Sequence, residues 1–276
     1  MTIFGTPIDV RPLFPVERRA LLALLRDLSP QDWAKPTVCP GWDVHDVVGH
    51  VLNDYLRRIS GGRDGHAGAR FAEGETLPGY LTRVNGEFVQ ATRQISPELL
   101  IELLEHLGHR LDALWASREL EAPADLNVSW AATDVASPAW LDIGREYTEF
   151  WVHQQQVRDA VARPGATEPA LLAPVLDLFA RALPQSLRGH DRPEGTVAEL
   201  EVLGAAGGRW SAARQEGRWH MAAPGPEPEA RVTMDQDTFW RLATRGITVE
   251  QARDRSRTSG DPELTAAMTA LLAVVA

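Results

Sequence analysis

The chain has 276 residues, of which 44% are hydrophobic and 24% are charged, an ordinary composition for a globular protein long enough for two modest domains. Its formal net charge of −10 argues against a nucleic-acid-binding protein, because such proteins concentrate lysine and arginine. A single cysteine, Cys39, excludes an intrachain disulfide bond and a cysteine-rich zinc site.

The start of the sequence and its apolar stretches indicate where the protein works. The N-terminus has no basic region followed by an apolar run, and no apolar stretch approaches the roughly 18 residues of a membrane-spanning helix. We therefore expect a cytoplasmic protein without a membrane partner. Lys35 is the only lysine, and abundant arginine, alanine, glycine and proline are typical of a GC-rich bacterial genome.

The first part of the chain is predicted to be helical. Apolar residues at helical spacing predict helices at residues 16–28, 44–55, 77–94, 97–115 and 139–162. Asp43 is a good N-cap residue for the second helix, with Asp46 close to its positive end. The loop before it carries Trp33 and Trp42, whose large rings must lie back on the core.

The pattern changes after Thr167. One helix is predicted first, at residues 169–187, and alternating polar and apolar segments separated by glycine and proline then predict strands at 197–203, 210–214, 219–222 and 231–234. Further helices are predicted at residues 237–245, 249–254 and 262–276. We accordingly predict a mainly α fold, with a helix bundle over residues 12–165 and a smaller α+β domain with an antiparallel sheet over residues 169–276.

Glu149 and His153 are the residues most suggestive of chemistry. They are four residues apart in a predicted helix, so their side chains lie on one face and could bind one divalent metal ion together. Such a pair needs a third ligand, and His50 is the best candidate. The alternatives are a solvated Glu–His pair and a core histidine.

Cys39 admits two interpretations. It could be a nucleophile, or it could be a structural thiol. The sequence favours the structural role, because cysteine is among the most buried residue types and no flanking charge clearly lowers its pKa.

The sequence resembles the mycothiol-dependent maleylpyruvate isomerase family of DinB-like metalloenzymes, and the resemblance covers nearly the whole chain. In the first part it rests on Leu28, Trp33, Pro36-Thr37, Cys39-Pro40-Gly41-Trp42, Gly49-His50-Val51, and the pair Glu149 and His153. In the second part it rests on Arg231-Val-Thr233, Asp237-x-Phe239 and Gly260-Asp261. The resemblance implies a DinB-like four-helix bundle for residues 12–165.

The resemblance also implies a function. His50, Glu149 and His153 would bind a divalent metal, most suitably Zn²⁺, with an open position for a ligand. The low-molecular-weight thiol mycothiol would be a co-substrate, used to isomerise a small electrophile or transferred to it. A metal-dependent hydrolase or transferase using bound water, and a non-catalytic DinB-like binding module, remain alternatives, and the oligomeric state is open.

Three further residues are predicted to support this site. Asp54 lies one turn after His50, and Glu146 nearly one turn before Glu149, so either could accept a hydrogen bond from a ligand or from metal-bound water. Arg257 lies just before Gly260-Asp261 and is our candidate for pairing with an anionic substrate. The alternative for all three residues is a solvated surface position.

Overall fold

The structure is a computed structural model that describes residues 3–66, 68–225 and 227–274. Its α-helices, in chain order, are α1 (Phe14–Arg26), α2 (Pro30–Trp33), α3 (Val44–Arg58), α4 (Leu77–Thr92), α5 (Pro97–Ala116), α6 (Ala139–Val161), α7 (Pro169–Ala180), α8 (Leu183–Leu187), α9 (Gln236–Ala243), α10 (Val249–Asp254) and α11 (Pro262–Met268). Its strands are β1 (Val197–Leu203), β2 (Gly208–Gln215), β3 (Arg218–Ala222), β4 (Ala230–Asp235) and β5 (Arg257–Gly260). A 3₁₀ turn, Arg11–Leu13, precedes α1, and a π-helical turn, Ile59–Arg63, extends α3.

The described residues form two compact units. The bundle unit contains Val10–Glu119 and Glu146–Ala166. The sheet unit contains Leu120–Arg145, the described residues from Thr167 onward, and those before Val10. Helix α6 contributes its first residues to the sheet unit and the remainder to the bundle unit. The domain boundaries predicted at residues 165–169 stay a prediction.

The bundle unit is held together by aromatic and aliphatic side chains between its helices. Helix α3 packs against α4 and α5, and α1 packs against α5. The Phe14 ring of α1 contacts Tyr147 and Phe150 of α6 at centroid distances of 5.7 and 5.9 Å, and the Tyr55 ring of α3 lies 5.0 Å from Phe150. These rings are fully buried, so α3 and α6 share one apolar core.

Local chemistry fixes where α3 begins. The Asp43 carboxylate accepts a hydrogen bond from the Asp46 amide, and the Asp46 carboxylate pairs in turn with the Arg93 guanidinium, with an Oδ2–Nη2 distance of 2.7 Å. Gly49 lies so close to Thr92 of α4 that a Cβ atom there would be 2.3 Å from the Thr92 hydroxyl oxygen. The residue just before His50 on α3 therefore has no room for a side chain.

The sheet unit contains a five-stranded sheet in the order β3-β2-β1-β4-β5. The strand pairs are antiparallel except β1 and β4, which run parallel and pair Leu200 with Val232. The predicted fold class is confirmed as a mainly α chain with a helix bundle followed by an α+β part. The expectation of a purely antiparallel sheet was wrong, because the chain leaves β3 at one edge and enters the far side of β1 as β4.

Two further details differ from the sequence prediction. The helix predicted at residues 169–187 is divided into α7 and α8, with Pro184 in the first turn of the second. The final predicted helix ends at Met268.

Within the described part of the chain, no helix has the length and apolarity needed to cross a membrane.

Candidate metal centre

Helices α3 and α6 bring two of the predicted ligands into contact inside the bundle unit. The His50 and His153 rings meet edge to face with a centroid distance of 4.7 Å. The Nε2 atom of His153 lies 3.5 Å from Glu149 Oε2, one turn earlier on α6. His50 and His153 are 7% and 8% exposed, so this cluster is largely shielded from bulk water. The spacing of Glu149 and His153 places them on one helix face, as predicted from the sequence.

Two ring nitrogens in this cluster lack hydrogen-bond partners. They are His50 Nδ1 and His153 Nε2, both of which are buried. The 3.5 Å separation between His153 Nε2 and Glu149 Oε2 is longer than an ordinary hydrogen bond. As placed, no three His, Cys, Asp or Glu side chains among the described residues are arranged as a ligand set. Buried imidazole nitrogens without partners, beside a carboxylate, are nevertheless the donor types that suit zinc.

The cluster is electrostatically suited to a neutral His50. Burial and the adjacent His153 lower the pKa of His50 to about 3. Burial of His153 lowers its pKa, but Glu149, Gln156 and Asp54 together raise it by more, so the pKa of His153 lies above its ordinary value. A neutral imidazole has a free lone pair, which metal binding requires.

The loop before α3 forms a wall beside this cluster. The Trp42 amide donates to the Cys39 carbonyl, and Gly41 has a φ of +78°, as the third position of a type II turn with Pro40 at the second position requires. The turn places the Trp42 ring 5.2 Å from the His50 ring, centroid to centroid. The loop that sequence analysis assigned to the core through its tryptophans thus supplies one side of the site.

Gln156 was not predicted as a site residue. Its Oε1 atom lies 2.8 Å from His153 Nδ1 and 3.2 Å from the Cys39 sulfur. It lies three residues after His153 and therefore on the same face of α6. Its helical spacing from His153 is compatible with this contact, but the sequence does not single it out from the adjacent Gln154 and Gln155.

Glu17 is a buried carboxyl group that the sequence prediction did not single out. This glutamate of α1 is 1% exposed, and its Oε1 atom accepts a hydrogen bond of 2.6 Å from the Gln154 side chain of α6. Burial raises the pKa of Glu17 to about 7, although Gln154 and the nearby Arg18 and Arg158 lower it. A glutamate on the apolar side of a predicted helix is the corresponding sequence signal.

The structure places the three predicted supporting residues as follows. Asp54 Oδ2 lies 3.6 Å from His50 Nε2, and burial together with Glu149 raises the pKa of Asp54 to about 6. Glu146 Oε1 accepts a hydrogen bond of 2.7 Å from Arg58. Arg257 is exposed on β5, opposite Thr233 of β4, and belongs to the sheet unit. The functional roles of these residues stay predictions.

Comparisons with known proteins assign the family. The model of the mycothiol maleylpyruvate isomerase N-terminal domain family matches residues 14–158. Crystal structures of the mycothiol-dependent maleylpyruvate isomerase and of a histidine-to-alanine mutant of it share the fold, with TM-scores of 0.55 and 0.54. In both comparisons 18% of residues are identical over 94% of this chain and 96% of the other. The curated proteins contain no match. Because the family model covers more than half of the sequence, the chain belongs to the mycothiol-dependent maleylpyruvate isomerase family of enzymes.

Proposed function

We propose that this protein is a divalent-metal-dependent enzyme that uses mycothiol to isomerise a small electrophile, or that transfers the thiol to it. The observation that carries the proposal is the buried contact between His50 and His153, with Glu149 beside His153, in a chain of this family. Two imidazoles and one carboxylate suit Zn²⁺, and a three-ligand set would leave an open position of the kind that catalytic zinc sites have.

Each residue of the candidate site would have a different role in the reaction. His50, Glu149 and His153 would bind the ion, and a bound ion would lower the pKa of a thiol or a water molecule beside it. Trp42 would limit access of water from the loop side, since its ring packs on His50. Asp54 would orient the His50 ring from 3.6 Å away. Arg257 is our candidate for pairing with an anionic group of the substrate.

The proposed reaction class follows from a thiol held as thiolate. Its sulfur would form a bond to one carbon of an activated double bond, whose electron pair moves to the activating group. Rotation about the resulting single bond and expulsion of the same thiolate would restore the double bond in the other geometry. If a proton is added and the thiol is retained, the same first step gives a thiol adduct, which is the transferase outcome.

Metal analysis of the purified protein tests the site. We expect about one divalent ion per chain in the wild type and loss of that ion in His50→Ala, Glu149→Gln and His153→Ala. His45→Ala is the matched control, because His45 is on α3 but its Nε2 atom contacts the Ile95 carbonyl instead of the cluster. If the wild-type protein retains no divalent metal after incubation with an excess of it, the proposal is overturned.

Titration of the metal-loaded protein with mycothiol tests the thiol. Binding heat and the ultraviolet absorbance of a thiolate are expected in the wild type, and both should disappear in Glu149→Gln. Metal binding without any response to mycothiol, together with hydrolytic turnover, would favour the alternative in which bound water is the nucleophile.

A further inference from the structure

One oxygen atom beside the candidate metal centre has two neighbours that can donate a hydrogen bond. Gln156 Oε1 lies 2.8 Å from His153 Nδ1 and 3.2 Å from Cys39 Sγ. The three groups come from two parts of the bundle unit, since His153 and Gln156 are on α6 and Cys39 is in the loop before α3. This contact chain joins the loop to a predicted metal ligand.

The contact determines which nitrogen of His153 carries a proton. An amide oxygen can only accept hydrogen bonds, so the facing Nδ1 atom must carry hydrogen. In a neutral ring the lone pair then lies on Nε2. That Nε2 atom is buried without a hydrogen-bond partner. Residues 149, 153 and 156 follow the i, i+4, i+7 spacing of one helix face, so α6 would support the ligand from the same side as Glu149.

Cys39 determines which way the Gln156 amide faces. A glutamine can exchange its oxygen and nitrogen by rotating its terminal torsion, and the exchange would present an N–H to His153. The Cys39 thiol is a hydrogen-bond donor, and its contact favours oxygen in the observed position. Burial, together with the nearby Glu149, raises the pKa of Cys39, so the sulfur retains its proton. The Thr37 hydroxyl holds this part of the loop by accepting from the Cys39 amide at 3.1 Å.

We propose that Gln156 is a positioning residue that holds His153 with its Nε2 lone pair directed to the metal, and that Cys39 holds the Gln156 amide in the orientation this requires. The inference rests on the proposed function, because it assigns a role around the same metal. It gives Cys39 a supporting task through its S–H donor, in place of the nucleophilic one.

The test uses four variants of the full-length chain and one control. Gln156→Met removes the acceptor, and Gln156→Glu keeps it as a carboxylate. Cys39→Ala removes the donor to the amide, and Cys39→Ser keeps one. Gln155→Met is the control, because Gln155 is buried on the same helix but donates to the Gly165 carbonyl at 3.1 Å. Zinc dissociation constants are measured by competition with a chelator, and nitrogen chemical shifts of His153 are recorded for metal-free protein at alkaline pH.

Loss of an acceptor behind a ligating histidine typically weakens metal binding about 10- to 100-fold. We expect a loss of that size in Gln156→Met, affinity equal to or above wild type in Gln156→Glu, and unchanged affinity in Gln155→Met. Cys39→Ala should weaken binding by less than Gln156→Met, and Cys39→Ser should restore it. In metal-free wild type we expect His153 to be protonated at Nδ1, with a mixture of the two forms in Gln156→Met.

Wild-type zinc affinity in Gln156→Met would overturn the proposal, as would a metal-free His153 that is protonated at Nε2 in the wild type. If Gln156→Met weakened zinc binding only by destabilising the fold, Gln155→Met would weaken zinc binding to the same extent. Gln156→Glu would then also bind zinc more weakly than the wild type. If wild-type protein binds no metal, the proposed function fails. The nitrogen shifts of metal-free protein still decide whether Gln156 fixes the His153 ring.

Discussion

At the scale of single residues, Glu17 is a carboxyl group whose pKa is raised by burial in the bundle. It is 1% exposed, and burial raises its pKa from an ordinary value of 4.5 to about 7. The folded chain therefore keeps a proton that the unfolded chain releases between these two pH values. Stability from this group is fully present below pH 4.5, falls as the pH rises toward about 7, and stays low above it.

We predict that Glu17→Gln removes most of this pH dependence. A pKa shift from 4.5 to about 7 corresponds to about 3 kcal/mol, so the variant should be more stable than wild type at pH 8 by up to that amount. The glutamine oxygen can still accept from Gln154, which preserves the hydrogen bond. Urea unfolding at pH 5 and pH 8 measures the effect, with the exposed Glu102→Gln as control. Equal pH slopes in variant and wild type would contradict the prediction.

Arg257 gives a second residue-scale prediction. If it pairs with an anionic substrate, Arg257→Ala should bind metal normally but lose about 10-fold or more in kcat/KM, because a charge-assisted two-point contact contributes about 1.5–3 kcal/mol. Arg255→Ala, an exposed arginine two residues earlier, should keep wild-type turnover. Wild-type turnover in Arg257→Ala would show that Arg257 is a solvated surface residue that does not contact the substrate.

The run Gln154-Gln155-Gln156 shows which features of the site the sequence predicts and which it does not. Helical spacing correctly placed Glu149 and His153 on one face of α6, because that depends only on local geometry. The three glutamines look equivalent in the sequence. In the structure their side chains contact Glu17, the Gly165 carbonyl and His153, respectively, because successive helical residues point in different directions. Those partners depend on tertiary packing, so the sequence could not assign Gln156.

At the scale of elements, the contact between α3 and α4 positions His50 through Gly49. A Cβ atom at Gly49 would lie 2.3 Å from Thr92 Oγ1 and 3.0 Å from Thr92 Cβ. We predict that Gly49→Ala destabilises the protein by up to about 2 kcal/mol, since overpacking costs about 1–3 kcal/mol and alanine regains roughly 1 kcal/mol in a helix. Because His50 is adjacent, the variant should also bind metal more weakly. Denaturant unfolding and chelator competition measure the two effects.

A second substitution separates overpacking from other causes. Thr92→Ala removes the hydroxyl and methyl groups that a new Cβ atom would meet, so the double variant Gly49→Ala/Thr92→Ala should recover part of both losses. Gly86→Ala on α4 is the matched control, because no atom lies within 4 Å of its added Cβ. Additive losses in the double variant would mean that the close approach does not determine where His50 lies.

The strands show a different limit of prediction at this scale. Alternating residues identified β1 through β4 because period 2 is a local property. Nothing in that pattern says which strands are neighbours, so the parallel pairing of β1 with β4 was missed. Strand β5, Arg257–Gly260, was missed as well. Its residues are all exposed and carry no apolar alternation, and it forms through backbone pairing with β4 at the edge of the sheet.

At the scale of the whole molecule, metal binding should stabilise one of the two compact units more than the other. The predicted ligands His50, Glu149 and His153 all belong to the bundle unit. A ligand that binds only the folded state stabilises it by about 2.7 kcal/mol when its concentration is 100 times the dissociation constant. The stabilisation therefore applies to the opening of the bundle unit, which holds every ligand.

We predict that divalent metal protects the bundle unit from hydrogen exchange and that a chelator reverses the effect. Peptides from α3 and from the end of α6, residues 146–161, should exchange more slowly with metal, because opening either segment releases the ion. Peptides from β2 and β3 serve as internal references, since that hairpin lies in the sheet unit. Glu149→Gln should exchange at the same rate with and without metal. Protection that is as large in the β2–β3 hairpin as in α3, or that persists in Glu149→Gln, would mean that the ion binds elsewhere in the chain.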